Sequence, residues 1–141
     1  MNKKVEFHYN EKYGSSYFDI DYNGIHISAN ARCHPDDMDF SSERTGLTIA
    51  EARATVALLK AKRRYEIEPQ LKILKHLYGN MTTSKHFNPK SYEAKMIRSQ
   101  IRAIEKELAT ISNDIADEEK YLEEYIQKKD AFYKKMRAKN N

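Results

Sequence analysis

Residues 97–115 read IRSQIRAIEKELATISNDI, and their spacing decides the fold. Ile97, Ile101, Ile104, Leu108, Ile111 and Ile115 recur at alternating steps of four and three. That period lays an apolar seam along a helix that packs against another helix. The pattern runs on. Ile97, Ile104, Ile111, Glu118, Tyr125 and Phe132 take d positions, and Ile101, Leu108, Ile115, Leu122, Lys129 and Met136 take a positions. Glu118 and Lys129 break the seam, either to fix register or because the seam faces solvent there. One helix is therefore expected from about Pro89 to about Met136, roughly 72 Å at the α-helical rise. Asn88 is its expected N-cap, Pro89 suits the first turn, and Phe87 is placed to staple onto Tyr92.

A second helical pattern precedes it. Thr48-Ile49-Ala50-Glu51 has the form of a capping box. Apolar residues follow at Ala52, Val56, Leu59, Ile67, Leu71, Leu74 and Tyr78. Pro69 lacks a backbone donor, so a kink or short break is expected near Glu68. Gly79 is the expected C′ residue. This first helix would be roughly 45 Å long, so an antiparallel hairpin leaves roughly 25 Å of the second helix uncovered. Leu122, Tyr125, Ile126 and Phe132 lie in that stretch and need cover. The N-terminal sheet is one candidate; self-association into a homodimer is the other.

The first third reads as that sheet. Val5, Phe7 and Tyr9 alternate with polar residues, as do Phe18, Ile20 and Tyr22, then Ile25, Ile27 and Ala29. Asn23-Gly24 is a two-residue hairpin signal, because both types tolerate positive φ. Such a turn pairs Tyr22 with Ile25, Ile20 with Ile27 and Phe18 with Ala29, all on one face. On the other face it pairs Asp21 with His26. Three short strands with one apolar face must cover a helix. The expected fold is α+β: a three-stranded antiparallel β-meander and loop over residues 1–46, then a long antiparallel helical hairpin, a coiled coil, over residues 47–141. The first helix is kinked near Pro69, and the C-terminal tail is basic.

Composition agrees. Charged residues are 33% of the 141, the mean hydropathy is −0.87, and there are only 4 glycines and 3 prolines. Few breakers and much charge suit long helices with solvated faces. No apolar run nears the ~20 residues of a membrane span. Lys3 and Lys4 precede no apolar stretch of the signal-peptide kind, and the single Cys33 has no disulfide partner in the chain. A cytoplasmic protein is expected.

The net charge of +4 is unevenly spread. Residues 47–103 carry 12 Lys or Arg against 4 Asp or Glu, while residues 104–127 carry 2 against 8. Opposite blocks could pair along a hairpin. The sharpest basic cluster is Lys60-Ala61-Lys62-Arg63-Arg64, in which Lys60, Arg63 and Arg64 share a helix face. Lys85, Lys90, Lys95, Arg98 and Arg102 form a second group near the inter-helix loop. These eight residues are the candidate contacts to nucleic acid or to a protein partner. The bland alternative is a solvated face paired with the acids of residues 105–124.

Cys33-His34-Pro35-Asp36-Asp37-Met38-Asp39 is the one cluster of metal-capable residue types. Adjacent Cys33 and His34 project differently, and no CxxC or HxxxH supplies further ligands. No catalytic motif is visible, so no enzyme, metal or cofactor is expected. The block from Cys33 through Phe40, with Thr45-Gly46-Leu47-Thr48-Ile49-Ala50-Glu51-Ala52-Arg53, resembles small accessory proteins of phages and other mobile elements, anti-CRISPR inhibitors among them. The resemblance implies an inhibitor or modulator that binds a nuclease complex or its nucleic acid. It assigns no functional residues. Two functions are thus expected: a non-catalytic interaction protein that inhibits a host nuclease defence such as CRISPR, or a nucleic-acid-binding accessory protein.

Overall fold

The computed structural model describes residues 3–34, 37 and 42–140. The fold is α+β: a three-stranded antiparallel sheet, then helices. Strands β1 (Lys3–Asn10), β2 (Ser15–Tyr22) and β3 (Ile25–Arg32) lie in the order β1-β2-β3. Asn23 and Gly24 take φ of 47° and 81°, which sets the hairpin register. Tyr22 faces Ile25, Ile20 faces Ile27 and Phe18 faces Ala29, as the spacing requires.

Helix α1 (Glu43–Lys62) runs into a π-helical turn (Arg63–Ile67) and then α2 (Glu68–Thr82); α3 spans Tyr92–Asn140. Helix α1 starts before the expected capping box. Ser42 Oγ accepts the Thr45 N–H at 3.1 Å, so Ser42 is the N-cap. Thr48 instead donates to the Arg44 carbonyl at 2.7 Å, one turn back. Gly46 lies inside the helix because α1 meets β2 there: a Cβ on Gly46 would sit 2.1 Å from Ser16 Oγ and 3.1 Å from its Cβ.

At Pro69 the backbone stays helical on both sides. The Glu68 N–H donates to the Arg63 carbonyl, five residues back, which is the π pattern. Widening the turn takes the place of the four-residue bond that Pro69 cannot make. Gly79 does not end α2, which continues to Thr82 with Thr83 as C-cap. The start of α3 also differs from expectation. Asn88 accepts the Lys90 N–H at 2.9 Å in a turn, and Ser91 Oγ accepts the Ala94 N–H at 3.2 Å as the true cap. Phe87 packs edge-on against Tyr78, with ring centroids 6.0 Å apart, instead of against Tyr92.

The chain divides into two compact units, Met1–Leu58 with Ile115–Asn141, and Leu59–Asp114. In the first, Ile20 and Tyr22 of β2 pack on Ala54 and Leu58 of α1, flanked by Phe18, Ile27 and Ala29. Ala50, Ala52, Ala54, Val56 and Leu58 are all buried, on more than one side of the helix. In the second, Ile67, Ala94 and Ile111 are buried. Leu71, Leu74 and Tyr78 face inward only partly.

The seam of α3 is visible in its burial. Eleven of the twelve heptad positions are buried or half-buried, Glu118 and Lys129 among them, so the seam does not turn to solvent at those two. The exception is Phe132, which is exposed while Tyr133 is half-buried.

Candidate binding surfaces

All eight basic candidates fall in the Leu59–Asp114 unit, which carries 12 Lys or Arg against 6 Asp or Glu. The structure sorts them. Arg98 is held in place: it donates to the Tyr78 hydroxyl at 3.0 Å and to the Pro89 carbonyl at 2.6 Å. Its guanidinium also lies over the Tyr78 ring at 5.9 Å. Arg98 thus ties α2 and the inter-helix loop to α3. Arg63 donates to Ser112 Oγ at 3.4 Å and lies 3.9 Å from Glu68. Lys60, Arg64, Lys85, Lys90, Lys95 and Arg102 are exposed. Arg64 covers the face of exposed Tyr65 at 5.4 Å, a basic–aromatic pair that sequence reading passed over.

Sequence reading also missed the apolar part of this surface. Helix α2 has no buried residue. Ile73 and Leu77 are exposed one turn apart, at 61% and 49%, beside the half-buried stripe of Leu71, Leu74 and Tyr78. Tyr92 and Met96 are exposed one turn apart on α3. The signal was present as i, i+4 spacing off the main seam. It was masked because the seam already satisfied the helical pattern.

The first unit holds a cavity of about 260 Å³. Cys33, His34 and Asp37 reach it, with Thr45, Arg53, Ile126, Lys129 and Tyr133. Pro35, Asp36, Met38, Asp39 and Phe40, from the metal-capable cluster and the resembling block, lie outside the described residues. The Cys33 N–H donates to the Gly14 carbonyl at 3.0 Å, and its thiol donates to the His34 carbonyl at 3.4 Å. Asp37 is buried and accepts from Arg137 at 2.6 Å, which ties it to the end of α3. Burial holds the Tyr133 phenol above the ordinary tyrosine value, and the nearby Cys33 adds to this; a hydrogen bond with Thr45 works the other way. Among the described residues no three metal-capable side chains converge.

Of the four residues named for self-association, Ile126 lines this cavity. Leu122 and Tyr125 are half-buried within the unit, and Phe132 is 45% exposed. Among the described residues, no helix is long and apolar enough to cross a membrane. Comparison with protein-family models, with curated proteins and with solved structures finds no match to this chain.

Proposed function

We propose that the chain is a non-catalytic interaction protein of the kind mobile elements encode, and that it inhibits a host nuclease defence such as CRISPR. The observation that carries this is the Leu59–Asp114 surface. It joins a charge excess of 12 basic to 6 acidic residues with the uncovered side chains Ile73, Leu77, Tyr92 and Met96. Cations alone suit a phosphate backbone. Cations in one unit with unburied apolar side chains suit an anionic protein or nucleoprotein surface, where the apolar anchors supply the affinity and the charges the steering. Resemblance to mobile-element accessory proteins supplies the partner class, and such a partner places the chain in the cytoplasm.

The helical architecture belongs to the same reading. Arg63 reaches Ser112, and Tyr78 meets Arg98. Rising numbers on one side match falling numbers on the other, which supports an antiparallel coiled-coil hairpin. In this reading the axis bends at the π-helical turn before Pro69.

A plasmid-interference assay tests the function. In cells with an active CRISPR system that targets a plasmid, the chain should restore transformation at least tenfold, and an Ile73→Asp/Leu77→Asp variant should not. Unrestored transformation across several CRISPR types contradicts the proposal. The second reading, a nucleic-acid-binding accessory protein, is favoured by the Arg64–Tyr65 pair. Gel shifts with DNA and RNA over a salt series decide it: no shift even at low salt removes it.

A further inference from the structure

We propose that β1 is a dimerisation edge, through which two copies of the chain join antiparallel about an axis at Phe7 and merge their sheets. Three observations carry this. First, among the described residues β1 has a neighbour on one side only, β2. Its outer side presents a row of backbone donors and acceptors. Exposed edges are normally blunted by proline, bulges, short length or charged side chains, lysine above all. Strand β1 has no proline or glycine, its two lysines stand at its first two positions, and its register with β2 runs unbroken from Lys3↔Tyr22 to Asn10↔Ser15.

Second, the apolar side chains of β1 are uncovered. Val5 and Phe7 lie on the same sheet face as Ile20 and Phe18, their partners in β2. Helix α1 packs on Ile20 and Tyr22 of β2. Val5 is left 41% exposed and Phe7 63%. Phe7, Phe18 and Leu47 line an open groove there, together with Glu43, Arg44, Thr48 and Glu51.

Third, the strand complements itself. A two-fold axis must keep Val5 and Phe7 on one face, so only shifts of two residues are allowed. With the axis at Phe7, residues 4–10 pair. Phe7 meets Phe7 of the second copy, Val5 meets its Tyr9, and Glu6 meets its His8. An axis at Glu6 sets two glutamates opposite each other. An axis at Val5 pairs residues 3–7 of the described strand and buries Phe7 against a lysine. Stacked aromatics and opposite polar pairs favour the Phe7 register. The occupant is therefore a second copy of this chain, not a foreign strand.

Light scattering on the purified chain from micromolar to about 1 mM tests the idea. A dimer that forms with rising concentration is expected. Val5→Lys/Phe7→Lys should weaken it at least tenfold while leaving the far-ultraviolet dichroism unchanged, since both residues are already exposed. In a Cys33→Ser background, Phe7→Cys should cross-link on oxidation and Ser28→Cys, on the opposite face and strand, should not. A chain that stays monomeric at about 1 mM overturns the proposal. So does a dimer indifferent to both lysines, as one built on Leu122 and Phe132 would be.

Discussion

His26 and Asp21 face each other across the hairpin, their Nδ1 and Oδ1 atoms 2.6 Å apart, with Asp19 at 3.9 Å from the other ring nitrogen. The hydrogen bond to Asp21 and then its charge raise the His26 pKa above the ordinary 6.5. A raised folded value means that this contribution to stability is present below the ordinary pKa and is lost as pH rises through the raised one. Titrating the ring by NMR should show an elevated midpoint, and Asp21→Asn should lower it. An identical midpoint in both proteins would remove the pair. This contact was legible from Asn23-Gly24 alone, because the turn fixes the register. The glycines inside the helices were not. The loop was expected to run to Gly46 and the first helix to end at Gly79, yet both glycines sit within helices. At Gly46 the reason is tertiary: buried Ser16 leaves no room for a Cβ. Gly46→Ala should therefore cost about 1–3 kcal/mol by overpacking. Gly79 has open space around its missing Cβ, so Gly79→Ala should add about 0.5–1 kcal/mol from helix propensity. Thermal melts of the two variants should move in opposite directions.

At the level of elements, the long seam of α3 was the most legible feature, since a strict period needs no tertiary knowledge. Helix α1 was the least. Its residues Ala52, Val56 and Leu59 were read as one apolar stripe, and Ala50, Ala54 and Leu58 were passed over. The helix packs on the sheet through Ala54 and Leu58 while Ala52 and Thr55 line a cleft with Glu118 and Tyr121. A helix covered on two sides loses the single-face periodicity on which sequence reading depends. The end of α3 is fastened by an interaction no local pattern announces: Arg137 bonds Asp37, 100 positions earlier in the chain. Asp37 is buried and Arg137 is 42% exposed. Solvent at the arginine discounts the pair, so Arg137→Ala should cost about 1–2 kcal/mol, mostly from the carboxylate left behind. Urea unfolding checks this, and hydrogen exchange should show faster opening of the last turns of α3.

Across the whole molecule, the charge map was legible and the surface it makes was not. Counting residues located the basic block. Only the structure separates Arg98 and Arg63, which are tied to neighbours, from exposed Lys85, Lys90, Lys95 and Arg102. It also adds the uncovered Ile73, Leu77, Tyr92 and Met96. In the proposed function this basic unit, with its uncovered apolar side chains, docks on a nuclease complex. Affinity capture from cells with an active CRISPR system, followed by mass spectrometry, tests that docking. The unaltered chain should retain a nuclease complex, and both Ile73→Asp/Leu77→Asp and Lys85→Glu/Lys90→Glu/Lys95→Glu should lose it while remaining folded. Recovery of no nuclease, or equal recovery by all three proteins, would contradict the claim.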